Sequence, residues 1–338
     1  MNAVRFREIT SRYRGLRVAV IGDFCLDRYL EIDPRLAEVS IETGLPVHNV
    51  VRVRASPGAA GTIVNNLCAL GVGAVHPVGF VGDDGEGYEL RRALASLSGV
   101  EIEHLLQTSE RRTFTYCKPL VVEEGMQPRE LNRLDSKNWT PTPESIVRRL
   151  ASAIAGLGEC VDAMIVMDQV DVAETGVVTR GVRDAVHTVL AENAKIVALA
   201  DSRRGLVDFP PLAFKMNAAE LGVLTGANAE PSIEYLKKQA ASLALRNRQP
   251  VFVTLAESGI VGASPAGVTE HVPAFPVRGD IDVVGAGDSV TAGLVTALAA
   301  GANIPEAMLL GMAAASTVVH QLGTTGTASL EQIAALLF

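Results

Sequence analysis

The stretch Asp282-Val283-Val284-Gly285-Ala286-Gly287-Asp288-Ser289-Val290-Thr291-Ala292-Gly293 combines residue types that can hold an anion and move a proton. It leads into a helical pattern: Val290, Leu294 and Leu298 recur every fourth residue, with no proline before Pro305. Gly285, Ala286 and Gly287 therefore fall at a loop-to-helix junction. Small residues there let successive N–H groups point into one concavity, and the positive end of the helix dipole adds to them. Such a junction holds an anion, most often a phosphate. A carboxylate at Asp288 repels that anion, which makes sense if it takes the proton of a hydroxyl attacking a phosphoryl group. The alternative is a helix N-cap at Asp288 behind a tight glycine turn.

Other candidates lie at the ends of apolar runs. Arg17–Gly22 reads as a buried parallel strand, and Asp23 and Asp27 follow at its carboxyl end, where open α/β sheets place ligands. Asp27 either faces a ligand there or is a surface aspartate in a turn. Asp168 and Asp201 each end a strand and face the same crevice. In Ser56–Asn66, Gly58 and Ala59 at a helix entrance permit close backbone approach to a ligand. Asn217 and Glu220 are three apart and share one face of a helical turn. Read alone, this spacing is that of a capping box between Asn217 and Glu220.

The elements that must position these residues are legible in outline. From about Ala151 to Ala266 apolar strands (Ala163–Met167, Ile196–Ala200, Val251–Leu255) alternate with helical patterns (Thr179–Asn193, Ile233–Leu245). That is the pattern of a doubly wound, mainly parallel sheet in a three-layer α/β/α fold. Leu30–Val53 and Arg112–Leu134 instead hold alternating segments that read as exposed antiparallel strands of a small separate sheet.

Asp282 through Leu294 resembles, position for position, the C-terminal signature of the PfkB/ribokinase family of carbohydrate kinases. Gly22–Tyr29 resembles that family's first strand and is most similar to its heptose-7-phosphate kinase branch. Asn217-Ala218-Ala219-Glu220 matches the family's N-x-x-E motif, and Val81–Gly85 resembles its V-G-x-D-x-x-G turn, read as structural. The resemblance implies ATP-dependent phosphorylation of a sugar-like hydroxyl. Asp288 is then the base, and the amides of Gly285, Ala286, Gly287 and Asp288 form the anion hole. It further implies substrate contacts at Asp27, Gly58, Thr62 and Asp168, nucleotide contacts at Asn217, Thr254, Gly259 and Asp282, and Mg2+ on Glu220. The tail Gly323-Thr324-Thr325-Gly326 resembles a loop near a monovalent-cation site, which brings in K+. One ribokinase-like domain is expected over 1–338, with lid segments at about 30–55 and 111–135 that close over the sugar and form a homodimer interface.

The chain departs from the family pattern at three places. Ala59 replaces the second glycine of P-G-G-x-x-N, Thr62 stands where the sugar-contacting asparagine is expected, and Ala256 replaces a glycine of T-x-G-x-x-G. These departures motivate two rivals: a non-catalytic sugar- or nucleotide-sensing protein on the same scaffold, and, within kinases, a nucleoside acceptor. Few aromatics near Asp27 argue against the nucleoside.

Composition excludes several classes. With 30 basic against 38 acidic residues the net charge is -8, and aromatics make up 4%, so neither nucleic acid nor an anionic membrane is an expected partner. No Walker A or G-x-G-x-x-G sequence is present. Cys25, Cys68, Cys117 and Cys160 form no CxxC pair and read as free thiols. No signal-peptide pattern or membrane-spanning run is seen, so a soluble cytoplasmic enzyme is expected. The sequence ends at Phe338 without a nucleotidyltransferase domain, and adenylyl transfer is not expected of it.

Overall fold

The computed structural model describes residues 1–226, 232–323 and 325–338. Nine strands form the main sheet, in the spatial order Thr269–Val272, Ile260–Ala263, Val251–Thr254, Ala213–Asn217, Val197–Ser202, Ala163–Asp168, Arg17–Gly22, Ala74–Gly82, Leu105–Thr108. From Val251–Thr254 to Leu105–Thr108 all neighbours are parallel. The last two strands at the other edge turn antiparallel. The chain first builds outward from Arg17–Gly22 to one side and later returns to its other side. The switch point thus lies between Arg17–Gly22 and Ala163–Asp168, where open α/β sheets open a crevice at the strands' carboxyl ends.

Both faces of the sheet are covered, which is why its strands are apolar throughout. Along Arg17–Gly22, Val18 and Val20 enter one core and Ala19 and Ile21 the other, as a period of two requires. The first core is roofed by helices Ala60–Ala69, Ala286–Ala299 and Ile304–Val318. The second is roofed by Glu144–Leu157, Arg180–Glu192 and Ile233–Asn247. The three-layer, mainly parallel architecture is the one the alternation of strand and helix patterns predicts.

A second, five-stranded sheet holds Val50–Ala59, Phe24–Ile32, Phe114–Val121 and Leu134–Ser136, with Arg129–Glu130 paired beside it. It differs from the expectation in two ways. Its central pair, Phe24–Ile32 with Phe114–Val121, is parallel, so the sheet is mixed rather than antiparallel throughout. It also begins at Phe24, directly after the first strand of the main sheet, so Asp27 sits within a strand and not in a turn. The cause is local: residues 24–32 stay extended because Val50–Ala59 pairs with them residue by residue up to Phe24 opposite Ala59. The turn reading of Asp27 is thereby corrected.

Candidate active site

The helix Ala286–Ala299 starts at Gly285, whose φ of +82° is a left-handed conformation that glycine adopts without strain. Asp288 is the third residue of the helix, and no side chain caps it. The N-cap reading of Asp288 is therefore overturned, because the cap position belongs to Gly285. The N–H of Ala286 is spent on the Val283 carbonyl at 3.2 Å. Among the described residues no acceptor takes the N–H of Gly285, Gly287 or Asp288. These are the free donors of a helix N-terminus. A built Cβ at Gly285 would lie 2.8 Å from Thr325 Cγ2, and one at Gly287 3.1 Å from Lys215 Nζ, so both positions are crowded from the ligand side.

Asp288 is half-buried, with its carboxyl inside the crevice. Burial, then the neighbouring Asp201 and Asp27 carboxylates, push it up to about 7, while Lys215 pulls the other way. Lys215 is itself buried and donates to Asp201 Oδ2 at 2.6 Å. Burial alone would lower the Lys215 ammonium, but the Asp201 partner outweighs it and holds the group above its usual range. Thr291, one turn into the helix, donates to the same Asp201 oxygen at 3.2 Å.

Asp27 reaches this crevice from the small sheet, and its carboxylate pairs with Lys118 Nζ at 3.2 Å. A side chain at Gly58 would strike Asp27 Oδ2 at 2.4 Å, so Gly58 makes room for that carboxylate. On the same face Tyr29 lies between two cations, Arg54 and Lys118, each 4.8 Å from its ring centre. Arg54 also pairs with Glu31 at 2.6 Å and reaches the Gly323 carbonyl at 3.2 Å. Tyr116, paired in register with Asp27, adds a second aromatic. The expectation that aromatics are scarce beside Asp27 is thus corrected: Tyr29 lies two residues along the same strand with cations flanking it, and strand pairing sets Tyr116 opposite Asp27.

Thr62 and Asp168 are placed differently from Asp27. Thr62 is buried, its hydroxyl reaches the Pro57 carbonyl at 3.4 Å, and its methyl faces Gly285. Asp168 is fully buried; it accepts from Ser202 Oγ at 2.9 Å and Arg204 Nη2 at 2.7 Å. Beside it Asp23 accepts the N–H groups of Gln169 and Val177 at 2.8 and 2.7 Å. Burial and the Asp168 charge both push Asp23 upward. Asp23 and Asp168 thus lock the switch point from within.

Asn217, Thr254 and Gly259 line one cleft of about 850 Å³, together with Ala286 and Gly287. Its walls include Leu255, Phe275, Val290 and Val319, apolar enough for a flat ring. Asp282 accepts from Val284 N–H at 3.0 Å and Gly323 N–H at 3.3 Å, holding the loop before the helix. The capping box is real: Asn217 Oδ1 accepts from Glu220 N–H at 2.9 Å and Glu220 Oε2 from Asn217 N–H at 2.7 Å. Burial raises the Glu220 carboxyl above its usual range. Thr324 of the candidate cation loop lies outside the described residues. Among those described, no group of three or more His, Cys, Asp or Glu could cage a metal.

Lys215, Lys118 and Arg54 were not singled out by sequence reasoning. Lys215 had a signal: a charged residue inside the apolar strand Ala213–Asn217, two before Asn217 and so on the same face. Lys118 and Arg54 had none, because their nearness to Asp27 depends on strand register.

Residues 171–331 match the model of the pfkB family carbohydrate kinases. Over that segment the chain is similar to pfkB family carbohydrate kinases. Over 329 residues it is 31% identical to the bifunctional protein HldE of Bradyrhizobium sp. (strain ORS 278), an alignment covering 96% of this chain and 64% of that protein. The HldE of Shewanella amazonensis is 30% identical over 335 residues, with the same coverage, 96% and 64%. The chain thus spans 64% of the length of these curated relatives. Among solved structures, Arabidopsis thaliana ribokinase complexed with ribose and ATP superimposes with a TM-score of 0.68 at 17% identity, over 95% of this chain and 98% of that one. Phosphofructokinase-2 from Escherichia coli, in complex with substrates and products, gives 0.70 at 17%, over 95% and 98%. These two show the fold. Among the described residues no helix is long and apolar enough to cross a membrane.

Proposed function

We propose that this chain transfers the γ-phosphoryl group of ATP to a hydroxyl of a sugar or sugar phosphate. One observation carries the reading: Asp288 has no capping role, sits beside the free Gly285, Gly287 and Asp288 amides, and is held near neutrality opposite Asp27. Asp288 takes the proton as the acceptor oxygen bonds to the γ-phosphorus and the bond from that phosphorus to the β,γ-bridging oxygen breaks. The three amides and the Lys215 ammonium meet the charge on the transferring group. The apolar cleft beside Thr254 and Gly259 takes the adenine.

Magnesium suits the donor set at Glu220: a hard carboxylate oxygen with no thiolate or imidazole, and too few protein ligands to strip the ion's waters. When bound, it neutralises phosphate oxygens; the proton and acceptor are handled by the chain's own residues.

On the acceptor side, Asp27 orients hydroxyls, and Lys118 and Arg54 favour an acceptor that already carries an anionic group over an unstacked nucleobase. The small sheet serves as the lid that keeps water from the transfer. A homodimer through that lid completes the reading, supported by exposed aliphatics on its edge strand, Val50, Val51 and Val53, and on the separate hairpin before it, Val39, Ile41 and Leu45.

The test is ADP release with Mg2+ and ATP over a panel of free sugars, sugar phosphates and nucleosides, run beside Asp288→Asn and Asp27→Asn. Turnover with a sugar phosphate, lost in both variants, is the expected result. Undiminished turnover in Asp288→Asn would remove Asp288 as the base, and no turnover across the panel with ATP still bound favours the sensing protein.

A further inference from the structure

We propose that Asp201 is a positioning residue for phosphoryl transfer, acting through Lys215: it keeps the ammonium charged and fixed over the anion hole. The proposal rests on the kinase reading above and deepens it.

A lysine placed in a packed β-layer has two ways out of its desolvation cost. It loses its proton, or it finds a carboxylate. Lys215 is 8% exposed and Asp201 7%, so water does little for either. Their contact at 2.6 Å joins neighbouring parallel strands, Val197–Ser202 and Ala213–Asn217. Geometry then shows what the pair is for. Lys215 Nζ lies 3.1 Å from where a side chain at Gly287 would begin, which puts the ammonium directly over the helix N-terminus. An ammonium has three donors, and Asp201 takes one along a fixed direction. The others are left to point at an anion resting on the Gly287 and Asp288 amides.

Asp201 Oδ2 also accepts from Thr291 Oγ1 at 3.2 Å. That bond fastens the same carboxylate to the helix carrying Asp288. Three elements are thereby held in one register by a single oxygen: the Lys215 strand, the Asp201 strand and the Asp288 helix. A chain that needed only a buried counter-ion would have no reason to bring it within reach of this helix.

The arrangement also bears on Asp288. The charged and titratable groups that face it are Asp201 and Lys215 from the main sheet and Asp27, with its Lys118 partner, and Cys25 from the small sheet, while Glu220 of the helix Ala218–Thr225 acts on Lys215. Asp201 raises the Asp288 carboxyl and Lys215 lowers it. Removing one or the other must therefore move Asp288 in opposite directions. A residue that merely supports packing moves neither.

The experiment compares wild type, Asp201→Asn and Lys215→Met in two arms. In the first, affinities for ATP (with Mg2+) and for adenosine are measured by calorimetry. Both variants are expected to lose tenfold or more of ATP affinity while adenosine binding stays within about twofold, because only phosphate contacts are touched. In the second, the pH dependence of kcat/KM is measured with whichever acceptor the panel identifies. The acid limb is expected to move down in Asp201→Asn and up in Lys215→Met, by about half a unit or more. Asp201→Glu, which restores the carboxylate, is expected to recover part of the ATP preference. ATP binding unchanged in Asp201→Asn, or acid limbs shifting in the same direction, overturns the proposal. If no acceptor is turned over the kinase reading fails, whereas the binding arm still decides the role of Asp201.

Discussion

Asp288 sets activity against stability at a single carboxyl. Burial raises it from an ordinary 3.8 to about 7, so the folded chain holds a proton there that the unfolded chain has released. Its contribution to stability is complete below about pH 4 and is lost as pH rises through 7. The proposed role as base needs the opposite form, since a base must be free of its proton. We expect kcat/KM to rise about tenfold per unit up to pH 7 and then level off. Asp288→Asn should cost about 10²- to 10⁴-fold in turnover. At pH 8 the same variant should resist denaturant better than wild type, by roughly 1 kcal/mol once solvent screening is allowed for. Turnover independent of pH between 5 and 8 would remove Asp288 from the reaction. Two other residues carry strain that the sequence hinted at. Ala59 has φ +51° with ψ −117°, and Ala256 has φ +49°. These are conformations that glycine accepts and alanine resists, and both are positions where the family pattern has glycine. Ala59→Gly and Ala256→Gly should each stabilise the fold by about 1 kcal/mol, read as a higher denaturation midpoint with an unchanged slope.

At the scale of elements, the junction at Asn217 caps a helix and is proposed to hold Mg2+, and mutation can separate the two. Asn217→Ala removes the cap of the helix Ala218–Thr225 and should cost about 1 kcal/mol in unfolding free energy. Glu220→Gln keeps the reciprocal bond to the Asn217 N–H, so stability should change by less than about 0.5 kcal/mol. The same change should raise the Mg2+ concentration for half-maximal turnover about tenfold if Glu220 holds the ion. Equal Mg2+ dependence in Glu220→Gln and wild type would leave only the cap. The capping box was legible in the sequence because Asn and Glu three apart, ahead of an apolar run, encode it locally. So were the strands that end at Asp168 and Asp201, since burial on both faces leaves a continuous apolar run. What the sequence hid is cross-strand. The pairing that sets Lys118 and Arg54 around Tyr29 depends on the register of Phe24–Ile32 with two distant strands, and the parallel middle pair has no local signature. Thr62 was implied as a substrate contact by the family resemblance. Its burial against Gly285 follows from how helix Ala60–Ala69 packs on Ala286–Ala299, which periodicity cannot report.

For the whole molecule, the proposed lid raises a problem of exposed apolar surface. Beside it the hairpin of Glu38–Val39 with Pro46–Val47, a separate two-stranded sheet, leaves Val39 66%, Ile41 102% and Leu45 63% exposed. Val51 and Val53, 55% and 48% exposed, lie on Val50–Ala59, the edge strand of the five-stranded sheet. Single exposed aliphatics are ordinary, but exposed valines on the edge strand together with those of the separate hairpin offer apolar surface to a partner. A second lid is a suitable cover, because an isologous contact buries the same patch on both copies at once. It would also stiffen the strands that carry Asp27, Arg54 and Lys118, linking acceptor binding to assembly. We therefore expect a homodimer in sedimentation velocity, and expect Ile41→Asp to weaken it about a hundredfold or more, since a charge would be buried without a partner. The variant should keep its fold by circular dichroism and lose affinity for the acceptor more than for ATP. Wild-type chain sedimenting at 35.6 kDa over the whole micromolar range would show that the lid face is left bare. Acceptor affinity unaltered in a monomeric Ile41→Asp would show that the lid positions Asp27 without help from a second copy.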